Sequence, residues 1–359
     1  MEWFIETRFG DPILCIDITG TQMVHGSALG QVGFLNLTTK EQFLLTEIAE
    51  ESIKGIHITE ENIIYASVGD LYVLVLFRNE SGEWHMEGVC HEGREHTNLL
   101  CGFTQVLQHK AKICLLVIEE DQETLASIRA EGKNKLIITN SATSEHEEYT
   151  GLIFPKFSVP FYYNSEKLLW MERDLAGARV LKLVTFNPLG HSTVKYLNKK
   201  FGSIACPYIV QDSIIFIHEF KYIRSLDIAS GEIIGTIASS ENEILAIFPV
   251  MICMPPSVDR NNQENNMLVM KALVISVDKA GIICLWQEGN TIESIDLSKL
   301  DGLSVDSSDR FFGMGYPYVL KAGGIYIAVS TDVGIIVVKS EYLKMIGGID
   351  PLNNFTNTI

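Results

Sequence analysis

One pattern recurs along the chain and limits its folds more than any other feature. An apolar run of about seven residues is followed by a tight turn, a second apolar run, another turn and a third run. The clearest copy is ALVISVD-KAG-IICLWQ-EGN-TIESIDL, from Ala272 to Leu297, and close to it is GIYIAVS-TDVG-IIVVKS, from Gly324 to Ser340. Further copies are MVHGSALG-QVGFLNL-TTKE-QFLLTEI, NIIYASVGD-LYVLVLF-RNESGE-WHMEGV, KLLWMERDLAG-ARVLKLVTF-NPLG-HSTVKYL and SIIFIHEF-KYIRSLDI-ASGE-IIGTIA. A degenerate copy runs from Lys112 to Ser141, which makes seven units. A repeat of this size is one supersecondary unit that cannot bury its own apolar face, so copies must stack on one another.

The central-turn glycines measure the period. Gly30, Gly69, Gly177, Gly281 and Gly334 are separated by 39, 108, 104 and 53 residues. If each long gap spans two units, the 304 residues from Gly30 to Gly334 make six steps of about 51. Four strands with turns need ~40–50 residues in a propeller blade, and loop insertions supply the excess. The runs are rich in Ile, Val, Leu, Tyr and Phe and bounded by Gly, Asp, Asn and Ser, as strands are. LYVLVLF and IICLW are apolar on both faces, which suits strands sandwiched between neighbouring blades. The third runs, such as TIESIDL and HSTVKYL, are more polar, which suits an outer strand with one wet face.

The segment Ser276-x-Asp278-x-x-Gly281-x-Ile283-x-Leu285-Trp286 resembles the second-to-third-strand segment of a WD-repeat. Ser330-x-Asp332-x-Gly334 fits with one residue fewer, and His25-Gly26-Ser27 before Gly30 fits loosely. The Gly-His dipeptide and the literal Trp-Asp pair of that family are absent. The expectation is therefore an all-β chain: a single seven-bladed β-propeller of four-stranded antiparallel blades, resembling WD-repeat proteins, over residues 1–349. Blade counts of six or eight stay open, because the third unit is weak. Residues 350–359 are read as a short C-terminal tail. The first unit has its own leading run, ILCIDIT, so Trp3–Arg8 is a spare strand expected to pair with the last blade near Ile335–Lys339. KMIGG, Lys344–Gly348, competes for that role. Ser141–Thr150, Pro255–Asn266 and Ser298–Arg310 are polar and are read as loops inserted between strands.

Composition bears on partners and compartment. Lys plus Arg total 28 and Asp plus Glu total 45, so the net charge is −17. Such a surface repels phosphate backbones and argues against nucleic acid as a partner. The start, MEWFIETRFGD, has neither a basic nor an apolar leader segment, and seven scattered Cys read as reduced thiols. No apolar run reaches the ~18 residues of a membrane span; the longest, ILAIFPVMIC from Ile244 to Cys253, is interrupted by Pro249. A cytoplasmic home is expected, within a cytoskeletal or other large assembly.

Chemistry-bearing motifs are sparse. His85-x4-Cys90-His91-x4-His96-x4-Cys101 gathers metal-ligand types, but its spacing matches no common zinc module, and Cys90 and His91 point opposite ways in a strand. All nine His lie at or before His218, which counts against an axial multi-His site. There is no nucleophile elbow and no phosphate loop, and Gly313-Met314-Gly315 lacks the third glycine of a dinucleotide fingerprint. No catalytic residue, cofactor or metal is assigned. Two aromatic clusters, Phe161-Tyr162-Tyr163 and Phe311-Phe312 with Met314 and Tyr316, fall at inter-blade connections. These residue types are enriched in binding hot spots, so they are the candidate partner-binding residues; filling gaps between blades or starting an inner strand is the competing use. Arg173, Arg179, Lys182 and Lys195 fall in one unit; their ordinary reading is a solvated blade edge, ahead of a basic pocket for a phosphopeptide or phosphoinositide. The WD-repeat resemblance implies a non-catalytic scaffold that binds proteins of a multi-subunit complex. The alternative is a propeller-type metal-dependent hydrolase with its site at the central channel.

Overall fold

A computed structural model describes residues 3–6, 11–48, 51–59, 62–68, 72–79, 81–90, 97–103, 112–119, 133–140, 146–153, 159–163, 167–173, 179–186, 192–201, 204–211, 214–227, 230–254, 269–300, 312, 318–332 and 334–349. These residues form seven four-stranded antiparallel sheets. The chain opens with β1 (Trp3–Glu6). The first sheet is β2 (Ile13–Thr19), β3 (Gln22–Ser27), β4 (Gln31–Asn36) and β5 (Gln42–Glu47). The second is β6 (Ile53–Ile58), β7 (Ile64–Val68), β8 (Tyr72–Arg78) and β9 (Trp84–Cys90). The third is β10 (Thr97–Phe103), β11 (Lys112–Glu119), β12 (Lys133–Asn140) and β13 (His146–Ile153). The fourth is β14 (Val159–Tyr163), β15 (Lys167–Arg173), β16 (Arg179–Phe186) and β17 (Ser192–Phe201). The fifth is β18 (Ile204–Gln211), β19 (Ile214–Glu219), β20 (Tyr222–Asp227) and β21 (Ile233–Ser239). The sixth is β22 (Ile244–Met254), β23 (Val269–Asp278), β24 (Ile282–Gln287) and β25 (Asn290–Asp296). The seventh joins β26 (Leu320–Gly323), β27 (Tyr326–Thr331) and β28 (Gly334–Lys339) to β1.

In five of the seven units the three apolar runs supply the last three sequential strands of one sheet, whereas Lys112–Ser141 supplies β11 and β12 and Gly324–Ser340 supplies β27 and β28. Among the central-turn glycines, Gly30 and Gly281 take left-handed backbone, with φ of 88° and 80°. Glu288 and Gly289, with φ of 51° and 85°, make the two-residue turn between β24 and β25, a geometry matched to the twist of a hairpin. Pro249 lies inside β22, opposite Val274. It is tolerated because β22 is an edge strand of its sheet and needs no second hydrogen-bond ladder.

Apolar residues of adjacent sheets interlock to form the core. Val24, Phe34, Ile53, Ile58 and Leu76 join the first and second sheets. Ile5, Ile16, Met23, Ile335 and Val337 join the seventh and first. Leu273, Ile275, Leu320 and Ile327 join the sixth and seventh. The first strands also touch in order: β2 against β6, β6 against β10, β10 against β14, β14 against β18, β18 against β22, β22 against β26, and β26 against β2.

The spare N-terminal segment pairs as β1 with β28, through Trp3↔Val337, Phe4↔Ile336, Ile5↔Ile335 and Glu6↔Gly334. Lys344–Gly348, the competing segment, does not form that strand. Its first residues belong to helix α1 (Glu341–Met345) instead. The Ser340 side chain caps that helix by accepting from the Leu343 N–H, and the Glu293 carboxylate of β25 accepts from the N–H groups of Glu341 and Tyr342. These bonds satisfy the orphan donors of a helix start, so the segment coils. Two loop expectations need correction. His146–Thr150 begin β13, paired through Leu136↔Tyr149 and Ile138↔Glu147. An outermost strand keeps a wet face, so low hydrophobicity does not stop Thr and Tyr from extending there. Leu297–Lys299 wind into one 3-10 turn, with Asp296 accepting from the Ser298 N–H. Pro255–Asn266 and residues 350–359 lie outside the described residues.

His25 is a titratable group set into this core. It is buried, its Nδ1 has no hydrogen-bond partner, and burial pushes its pKa down to about 4. The unfolded chain takes up this proton near pH 6.5, the folded chain only near 4. Stability is therefore full above pH 6.5 and declines as pH falls from 6.5 towards 4, by about 3 kcal/mol in total. Urea unfolding at pH 7.5, 5.5 and 4.5 checks this: the wild-type midpoint should drop across the series, and His25→Gln should flatten that drop. An unchanged slope in the variant would assign the acid sensitivity elsewhere.

Candidate functional site

Side chains from the first strands of four successive sheets come together: Phe248 of β22, Lys321 of β26, Asp17 of β2 and His57 of β6. The His57 Nδ1 is 2.7 Å from the Asp17 Oδ2, and the Ile58 N–H donates to the same oxygen at 3.1 Å. The Thr19 hydroxyl donates to the Ile58 carbonyl at 2.8 Å. Lys321 Nζ lies 5.4 Å from the centre of the Phe248 ring, within cation–π range. Burial alone would raise the Asp17 carboxyl, but the His57 ring and, after it, the Lys321 cation outweigh burial and hold it below the usual carboxylate range. One Asp17 oxygen thus accepts from both the ring and the backbone of β6, which makes it a tie between two sheets. Among the described residues no three His, Cys, Asp or Glu side chains come together as a metal-holding group.

The residues that carry the repeat resemblance also have structural partners. The Trp286 indole N–H donates to the Ser276 hydroxyl at 2.8 Å in the interior. Asp278, also buried, accepts from the Ala280 and Ile282 N–H groups through Oδ1 and from Ser240 and Asn242 through Oδ2. Those four bonds offset the desolvation of the carboxylate and lock the β23–β24 turn against the connection between the fifth and sixth sheets.

Phe161, Tyr162 and Tyr163 end β14, the first strand of its sheet, rather than a connection between sheets. Phe312 is buried in the core, edge-on to Tyr318 with ring centres 4.9 Å apart. Phe311, Met314 and Tyr316 lie outside the described residues, as do His91 and His96. His85 sits on β9 beside Phe77, and its Nε2 is 2.7 Å from the Asn79 amide nitrogen. Cys15 and Cys284 are free thiols, and burial pushes the Cys15 thiol well up.

Sequence reasoning missed the exposed apolar residues of the outer strands. Phe43 and Leu44 of β5 are 40% and 57% exposed, Met86 of β9 is 56% and Ile234 of β21 is 57%. The available signal was a large apolar residue inside a third run otherwise read as polar. Phe43 and Phe34 pair across β4 and β5, with ring centres 6.3 Å apart. Phe34 in turn packs 5.4 Å from Trp84 of the second sheet.

No family model matches the chain, and no curated protein matches it. Solved structures do. Sqt1 of Saccharomyces cerevisiae, a WD40 β-propeller protein, is similar with a TM-score of 0.51 and 8% identity, over 94% of this chain and 98% of that one. The computationally designed Ika8 protein aligns with a TM-score of 0.48 and 11% identity, over 95% of this chain and 100% of that one. At 8% identity the likeness to Sqt1 speaks of fold alone, and an all-β arrangement of four-stranded sheets agrees with it.

Proposed function

We propose that the seven sheets are the blades of one closed, WD-repeat-like ring over residues 1–349. In this reading the protein is a non-catalytic scaffold for protein–protein interaction within a larger cytoplasmic assembly. The cyclic order of contacts between first strands supports the ring, as does the pairing of β1 with β28. The observation that carries the scaffold reading is the exposure of Phe43, Leu44, Met86 and Ile234 on outer strands. Large apolar side chains on a rigid rim can bind with little ordering cost, and Phe and Met are favoured interface residues. Phe161, Tyr162, Tyr163, Phe311, Phe312, Met314 and Tyr316 remain proposed contacts at other positions, Phe312 being itself buried in the core. A net charge of −17 disfavours nucleic acid as the partner. No described helix is long and apolar enough to cross a membrane.

The test is to separate a native lysate by size and identify what travels with the chain. Co-migration in a large species with a fixed set of proteins is the expected result. A lone 40 kDa peak would sink the scaffold reading. One observation favours the hydrolase alternative, namely the Asp17–His57 pair on first strands. A stoichiometric metal in the purified protein, lost in Asp17→Asn, would move the assignment to that reading.

A further inference from the structure

The cleft between the outer strands of the first and second sheets has the composition of an interface hot spot, and one of its groups has no carboxylate partner among the described residues. The Arg78 guanidinium, at the end of β8, lies 4.9 Å from the centre of the Trp84 ring, 5.6 Å from Phe34 and 5.9 Å from Phe43. Three rings from both sheets therefore hold one cation. Arg78 is nevertheless exposed, and no described carboxylate pairs with it, in a chain that carries 45 acids. The Trp84 Nε1 beside it is a buried donor with no acceptor. Met86 follows Trp84 by two residues and so takes the same face of β9, where it is 56% exposed. Phe43 flanks the cleft from the other sheet at 40% exposure.

Stacking on aromatic rings restrains the Arg78 side chain without using its five N–H donors. A restrained guanidinium loses less entropy on binding, and its fork matches a carboxylate. Trp, Arg and Met in one partly desolvated cleft are the residue types that dominate binding energy. We propose that this cleft binds a peptide segment of a partner protein that places an Asp or Glu carboxylate on Arg78 and an adjacent aliphatic side chain against Met86 and Phe43. The carboxylate completes the donors of Arg78, and the aliphatic group covers the exposed rim. This inference rests on the scaffold reading and names the chemistry of one of its partners.

The experiment uses the full chain and three fluorescein-labelled peptides at about physiological ionic strength, where long-range repulsion from the acidic surface is screened. They are GSELDLGS, its amide twin GSQLNLGS and its leucine-free twin GSEADAGS. Binding is read by anisotropy, with thermal melts to verify folding. GSELDLGS is expected to bind at least about tenfold more tightly than either twin. Arg78→Gln should remove the preference for acid over amide, and Met86→Ser the preference for leucine over alanine. Both residues are exposed, so neither change should disturb folding. Equal affinity for the acid and amide peptides, no effect of Arg78→Gln, or no binding of any peptide would overturn the proposal. So would sedimentation showing a dimer that Arg78→Gln dissociates, since the occupant would then be a second copy. If the peptides fail while the chain still co-migrates with partners in a lysate, this proposal falls and the scaffold reading stands.

Discussion

Deleting residues 1–6 should unravel the junction between the seventh and first sheets. β1 contributes Ile5, 5% exposed, to the core shared by those sheets, and it pairs with β28 over four residues. Losing the burial of Ile5 costs about 2–3 kcal/mol, and the uncovered surface of Ile335 and Val337 adds to it. The outer edge of β28 would also become an unpaired strand, a template for association. The expected result is a melting midpoint lower by about 4 °C or more, with soluble aggregates on size exclusion. Two comparisons separate the causes. Ile5→Ala should reproduce only the packing loss and leave the edge paired. A synthetic peptide of residues 1–8 added in trans should recover part of the midpoint in the deletion variant. If the deletion variant melts like the wild type and stays monomeric, β1 does not secure the ring and the closed-ring reading loses its main support.

Gly30→Ala and Gly281→Ala should differ sharply, although both glycines occupy the central turn of the repeat. Gly30 has φ of +88° and Gly281 +80°, so each substitution meets the left-handed penalty of about 1–2 kcal/mol. Their surroundings differ. A methyl at Gly30 would lie 2.0 Å from the Ile48 carbonyl oxygen and 2.6 Å from that of Glu51. Both are backbone atoms at the crossing from the first sheet to the second, and the Ile48 N–H donates to the Gly30 carbonyl there at 3.0 Å. The crossing cannot shift without breaking that bond. At Gly281 the nearest atom is the Leu297 Cβ at 3.6 Å, an ordinary contact. Gly30→Ala is expected to cost about 4 kcal/mol or more, and Gly281→Ala about 1–2 kcal/mol. Denaturant midpoints of the two variants measure the difference. Equal losses would mean that backbone conformation alone sets the cost and that the Ile48 crossing yields.

The parts of the fold legible in the sequence were those with a local cause. In the well-kept units, two or three apolar runs separated by short turns became consecutive strands, because alternation and turn chemistry act within a few residues. The first strands were harder. ILCIDIT was recognisable before its unit, but Ile244–Met254 contains Pro249, which reads as a breaker unless the strand is known to be an edge. His146–Thr150 read as a loop for a related reason: outer strands need little hydrophobicity once three inner strands are in place.

The candidate sites follow the same division. That Ser276 and Trp286 belong together was visible from their spacing, since a single hairpin brings them into contact, and Asp278 holds the turn of that hairpin. The Arg78 cleft was not visible. Its members come from β4, β5, β8 and β9 of two sheets, and alternation tells which face of a strand a residue takes, not what the next sheet presents to it. The Asp17–His57 tie is equally long-range, joining residues 40 apart across a sheet boundary. By itself the sequence determined the strands of the apolar runs, their grouping into repeats and the spare strand at the start of the chain, because periodicity and turns are local. Only the tertiary structure decided which cations meet aromatic rings, which carboxylates are tied and which apolar side chains stay in water, because those depend on how separate sheets face each other.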